Sequence, residues 1–268
     1  MRRVVVGACV ALSLAVWTAP AAPPSAPPSA PTPAAPEPPV APDAAASPAP
    51  ASKSAAPPAP ASTKPAAIDT SSMDSSVVQI VVKTDLGNGM MQTSTGTGVY
   101  LGSGRVLTAS HVVSRYTTIE VIFGGRSGQP LTIATFDPSV GKLVSFPSRD
   151  VSVMTKVVAP SWATGASIAK TTPKAGEQAV SFGLKDPATS RVRQGPVLPR
   201  GPMKNGIEID AISTKGDSGG PTFDSALRVI GVHSGNVSRT RFLPDGRQDE
   251  KITSVSFNVV GLDVSSVK

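Results

Sequence analysis

The 268 residues include one cysteine, two histidines and 4% aromatics, and carry a formal net charge of +7. A single thiol excludes a disulfide-stapled scaffold, so any domain must stand on its packed core. The basic residues are scattered without a run and with few aromatics among them, which gives nucleic-acid binding no footing. A mildly basic surface instead favours acidic partners.

Composition divides the chain. Arg2 and Arg3 precede a mostly apolar run from Val4 to Trp17, and Ala19-Pro20-Ala21 supplies small residues at a distance suited to signal cleavage. A run of fourteen residues is short for a bilayer span, so residues 1–21 are expected to be a signal peptide and the protein to be secreted or extracytoplasmic. An uncleaved anchor through residues 4–17 is the alternative. Cys9 would leave with the signal. Of the 28 prolines, 17 fall between Pro20 and Ala67, and no aromatic lies between Trp17 and Tyr100. Such a stretch buries too little to offset its conformational entropy, and residues 22–72 are expected to form a Pro/Ala-rich disordered linker or pro-segment. Residues 1–67 hold four of the 25 basic and two of the 18 acidic residues, which leaves a net +5 on the remainder. Residues 73–268 are expected to fold as one unit of two halves, 73–158 and 173–265.

From Ser76 the pattern changes to short β-branched runs separated by glycine turns. Val77–Val82, Gly98–Leu101, Arg105–Ala109, Thr117–Phe123, Leu131–Phe136 and Val151–Val157 read as strands. Gly87-Asn88-Gly89, Gly102-Ser103-Gly104 and Gly124-Gly125 supply the turns between them. A second series follows Pro173: Ala179–Gly183, Arg191–Val197, Gly206–Ile212, Arg228–Ser234 and Lys251–Val260. Six and five candidate strands on either side of Ala159–Thr172, with no helical periodicity, predict an all-β fold of two packed antiparallel barrels.

Three motifs carry chemistry. Gly216-Asp-Ser-Gly-Gly-Pro221 surrounds one serine with three glycines, a loop in which backbone N–H groups can converge beside the Ser218 hydroxyl. A nucleophilic serine needs a base and a group to hold that base. His111 ends the strand Arg105–Ala109 and its following Ser110, where an imidazole is both accessible and oriented. Asp150 opens the strand Asp-Val-Ser-Val-Met and is placed to accept an imidazole N–H. Asp137 is its rival, although Pro138 after it reads more naturally as a turn.

The three motifs, in the order His111, Asp150, Ser218, resemble the chymotrypsin-like (trypsin-like) serine endopeptidases over roughly residues 76–265. That resemblance implies a chymotrypsin-like double barrel with the site between its halves. His111 would be general base and then acid, Asp150 the group fixing its tautomer, and Ser218 the nucleophile. The N–H groups of Gly216 and Ser218 would form the oxyanion hole. Asp217 resembles the acid that pairs with a freed N-terminus in activated members; with no activation site visible, an internal Arg or Lys is expected in its place. No metal or organic cofactor is implied, and the expected partner of a likewise expected monomer is a protein or peptide substrate.

His233, in Gly-Val-His-Ser-Gly-Asn, is similar to the pocket histidine of glutamyl endopeptidases and of viral chymotrypsin-fold proteases. Ser213 matches the position of a pocket hydroxyl in those families, and Ile212 stands where trypsin-like members carry an acid. The resemblance implies Glu at P1, the residue before the scissile bond, with Gln as the main competitor. The backbone at Ser234 and Gly235 would pair with the substrate as an added strand. A viral polyprotein-processing protease, and a non-catalytic binding module on the same fold, are the other readings.

Overall fold

The computed structural model describes residues 67–199, 205–242, 247–264 and 266–267. The expected signal peptide, Cys9 and the linker up to residue 66 lie outside the described residues, and all described residues belong to one unit, Ala61–Lys268. Among them, no helix is long and apolar enough to cross a membrane.

The fold is a chymotrypsin-like double barrel built from thirteen described strands in two antiparallel sheets. The first sheet holds β1 (Val77–Asp85), β2 (Met91–Gly102), β3 (Arg105–Ala109), β4 (Thr118–Phe123), β5 (Thr132–Phe136), β6 (Leu143–Phe146) and β7 (Val151–Met154), in the order β5-β4-β1-β2-β3-β7-β6. The second holds β8 (Gln178–Asp186), β9 (Thr189–Pro196), β10 (Gly206–Ile209), β11 (Pro221–Asp224), β12 (Val229–Phe242) and β13 (Gln248–Asn258), in the order β10-β13-β12-β11-β8-β9. Its two edges meet: Val197 bridges Ile209, the Leu198 N–H donates to the Glu208 carbonyl at 2.8 Å, and the Asp210 N–H donates to the Pro196 carbonyl at 3.1 Å.

Two strands escaped the sequence expectation, so the first sheet has seven strands where six were expected and the second has six where five were. β6 is four residues between a glycine turn and Pro147, too short for alternation to register. β11 starts at Pro221, directly after the Gly219-Gly220 pair, and reads as loop. β12 and β13 also run further than expected, pairing from Gly231↔Asn258 to Phe242↔Gln248. Their outer half is mostly polar in sequence and is joined by continuous cross-strand pairing. The domain packs from Ile68 onward, ahead of the boundary drawn at residue 73: Ile68 lies against the central core and its N–H donates to Gln194 Oε1 at 3.1 Å. A 3₁₀ turn, Ser71–Ser75, follows, held through its Asp74 carbonyl by Nη2 of the buried Arg126 at 2.9 Å.

Strand alternation sends side chains into two cores. On β1, Val78, Ile80 and Val82 fill the first barrel with Val106, Ile119, Val121, Phe123 and Met154, whereas Val77 faces the second sheet. The interface core joins Val77, Val99, Leu107, Ala109, Val151 and Val153 to Val180, Phe182, Leu184, Phe223, Val229 and Val232. The chain crosses between barrels through 159–172, where Trp162 packs into the first core and Ile168 bridges Val229 of β12. The loops after β3, β6 and β10 are thereby carried to the seam between the sheets.

Candidate active site

His111 sits in a one-turn helix, α1 (Ser110–Val113), that begins where β3 stops. Asp150 ends the 3₁₀ turn Pro147–Arg149 with φ 45° and ψ 42°, a left-handed conformation that Asp tolerates better than most residues. The β3–β7 pairing, with Ala109 opposite Val151, brings the two together. Asp150 then grips His111 twice: Oδ1 accepts the His111 backbone N–H at 2.9 Å, and Oδ2 lies 2.7 Å from ring Nδ1. The Asp150 carbonyl also accepts the Ser110 N–H at 2.9 Å. Burial pushes the Asp150 carboxyl upward, but the bonds from His111 and Ser234 outweigh it and hold the group below the ordinary aspartate value. Asp137 is exposed and spends its carboxylate on the Ser139 N–H at 2.8 Å, as a turn residue does.

Ser234 reaches this pair from the other sheet. The β12–β13 register shifts between His233 and Gly235, a bulge that re-aims the intervening side chain. The Ser234 hydroxyl donates to Asp150 Oδ2 at 2.8 Å. The sequence reading gave Ser234 only a backbone role, and its hydroxyl proves to be the direct tie between the barrels at this point.

The loop holding Ser218 presses onto the middle of β2 and the end of β3. The Thr97 N–H donates to the Ser218 carbonyl and the Thr97 hydroxyl to the Gly216 carbonyl, both at 2.8 Å. A Cβ placed on Gly96 would lie 2.7 Å from Val112 Cγ1 and 3.1 Å from the Ser218 carbonyl oxygen. Val112, the neighbour of His111, and the Ser218 carbonyl thus both close on one glycine of β2. Among the described residues the His111 ring and the Ser218 hydroxyl share no hydrogen bond, and the N–H groups of Gly216 and Ser218 meet no acceptor.

Asp217 points the other way, into the second barrel, fully buried. Arg193 Nη1 bonds its Oδ2 at 2.7 Å, the Thr214 N–H donates to the same oxygen at 2.8 Å, and Arg191 Nη2 lies 2.8 Å from Oδ1 with its N–H not aimed squarely at it. These two arginines are the internal cations the sequence called for without naming. Their signal was there: Arg191-Val-Arg193 is an i, i+2 pair on one face of a strand. The carboxylate fits because residue 183 has no side chain, since a Cβ there would sit 1.9 Å from Oδ1.

His233 is buried at 2% exposure, and Nδ1 lies 3.0 Å from the Ser254 hydroxyl. Burial pushes its pKa down to about 4, against a raising effect from Asp217, so the ring is neutral near pH 7. Ser213 does not bond it. Its hydroxyl and N–H both turn to Asn236 Oδ1, at 2.7 and 3.1 Å, and the Asn236 amide returns a bond to the Ser213 carbonyl at 3.0 Å. Asn236 is therefore the partner of Ser213, a pairing that the sequence did not reveal. Ile212 is exposed, and a Cβ on Gly235 would meet nothing within 4 Å, so the strand is open on that side.

Comparison with known proteins agrees with this architecture. Residues 96–232, just over half of the chain, match the family described as trypsin-like peptidase domain, and the chain belongs to that family. The match takes in His111, Asp150 and Ser218 and stops one residue before His233. Among solved structures, the chain is similar to the serine endoprotease from Yersinia pestis, with a TM-score of 0.52, 19% identity, and 74% of this chain and 64% of that one covered. It is also similar to the MamO protease domain from Magnetospirillum magneticum in its apo form, with a TM-score of 0.50, 19% identity, and 70% and 93% covered. The chain thus spans less than two thirds of the Yersinia protein's length, and at these identities the likeness is one of fold. No curated protein sequence matches the chain.

Proposed function

We propose that this chain is an extracytoplasmic serine endopeptidase that cleaves by way of an acyl-enzyme on Ser218. The observation that carries the reading is the Asp150 carboxylate shared by the His111 ring and the Ser234 hydroxyl, with the Ser218 loop docked on β2 at Gly96, where Val112, the neighbour of His111, also packs. In the proposed cycle His111 takes the Ser218 proton as the oxygen attacks the carbonyl carbon, then returns it to the leaving amine. Water completes the second half by the same path. Asp150 holds Nδ1 protonated and offsets the imidazolium charge, and the N–H groups of Gly216 and Ser218 receive the developing oxyanion. The apolar run at residues 4–17 and the basic pair before it support export.

The proposed P1 pocket is lined by Ser213, His233, Ser234 and Gly235, with Glu or Gln as its occupant. The neutral state of His233 weighs toward Gln. When the Ser254 hydroxyl donates to Nδ1, the Nε2–H is left to donate outward to an amide oxygen, and no full positive charge is present to offset a carboxylate. Cleavage of a peptide library by the wild-type protein, read by mass spectrometry at pH 7.5, is the test. Enrichment of Gln or Glu at P1, with Gln ahead, is expected; enrichment of Arg, Lys or a large aromatic would contradict the pocket assignment.

A further inference from the structure

Arg191 touches more than the Asp217 carboxylate. Its Nη2 also donates to the Lys215 carbonyl at 2.8 Å, and a Cβ on Gly216 would stand 3.2 Å from that nitrogen. The Lys215–Gly216 peptide is trans, so its carbonyl and the Gly216 N–H point to opposite sides of one plane. Holding the carbonyl against the guanidinium therefore aims the Gly216 N–H away from β9. We infer that Arg191 is the positioning residue that sets the direction of the Gly216 N–H and so keeps the oxyanion hole open without any cleaved N-terminus; this rests on the peptidase reading above.

The peptide needs such a restraint. Gly216 has φ +96°, a region glycine enters at no steric cost, so a flip of the 215–216 plane is cheap from the backbone's side. Arg191 opposes that flip twice. The flipped plane would lose the carbonyl bond and would turn an N–H donor onto the guanidinium, which is itself only a donor. The next plane is pinned separately, because the Gly216 carbonyl accepts from Thr97. Arg193 makes the contrast: it bonds Asp217 Oδ2 at 2.7 Å and Thr214 Oγ1 at 3.1 Å but has no bond to the Lys215 carbonyl.

The experiment compares wild type with Arg191→Met, Arg191→Lys and Arg193→Met. It measures kcat and KM on a peptide, Ki for a peptide aldehyde whose adduct oxygen requires the oxyanion donors, and thermal stability. Arg191→Met is expected to lower kcat about 100-fold, near the loss of one oxyanion donor, with KM within about threefold and aldehyde Ki rising in parallel with the kcat loss. Arg193→Met is expected to lose Tm and less than about tenfold in kcat. A folded Arg191→Met with unchanged kcat, or with a kcat loss that aldehyde affinity does not follow, overturns the inference, as does an equal kinetic loss in Arg193→Met. Should the methionine variant fail to fold, Arg191→Lys carries the same criterion: its kcat and aldehyde affinity must fall together. A wild-type protein that neither hydrolyses peptides nor forms the aldehyde adduct would instead overturn the peptidase reading, and this inference with it.

Discussion

The two barrels are filled by different chemistry. The first is packed with Val, Ile, Phe and Met, and its rings interlock: Tyr100 stands edge-on to Phe123 at 5.6 Å, and Phe123 to Trp162 at 6.5 Å. The second has a smaller apolar cluster of Ala169, Ala179, Val197, Ile207, Ile209 and Ile230. Much of its remaining interior is polar and buried: Ser181, Glu208, Asp217, Thr222, His233, Ser254 and Ser256, with Thr222 and Ser256 bonded at 2.6 Å and Thr253 bonded to Glu208. Burying such groups costs stability unless each finds a partner. The difference divides labour: the first barrel presents His111 and Asp150, and the second gives up apolar filling to hold the Ser218 loop, Asp217 and His233.

The largest expected effect lies where the two meet. Asp150→Asn removes the carboxylate that takes both the imidazole and the Ser234 hydroxyl, and kcat on a peptide substrate should fall about 10⁴-fold with the fold intact by circular dichroism. A loss under tenfold would detach Asp150 from the chemistry. Next is the first barrel alone. Phe123→Ala opens a cavity under Tyr100 and Trp162 and should cost about 3 to 5 kcal/mol in urea unfolding, while kcat per folded molecule stays near wild type. A specific loss of kcat would mean that this core is not merely a platform.

The smallest effect belongs to the second barrel and to pH. His233 carries a folded pKa of about 4 against an ordinary value near 6.5, so the folded state resists its protonation. Stability linked to it is fully present above about pH 6.5 and is lost as the pH falls toward 4, on the order of 3 kcal/mol in all. Urea midpoints between pH 7 and pH 4.5 should drop for wild type and drop less for His233→Gln; equal drops would leave the histidine's burial without consequence.

The same division explains what could be read from the sequence. The first barrel announces itself because β-branched runs between glycine turns are local signals, and Arg105–Ala109 falls where expected. The pairing of His111 with Asp150 was legible because each sits in a short motif whose order along the chain is distinctive. The partners were not. Ser234 reaches Asp150 only because β12 bulges there, and the Arg191, Arg193 and Asp217 cluster is assembled by β11–β8 pairing beside β8–β9, across more than 20 residues. Ser254 and Asn236 are ordinary strand residues until pairing sets them beside His233 and Ser213. Polar strands such as the outer part of β12 have no apolar period to betray them.

The central claim is that Ser218 is the nucleophile. Treating the wild-type protein with a fluorophosphonate and mapping the adduct by mass spectrometry should place one label on Ser218, with labelling lost in Ser218→Ala. An adduct on another residue, or undiminished labelling of the alanine variant, would contradict it.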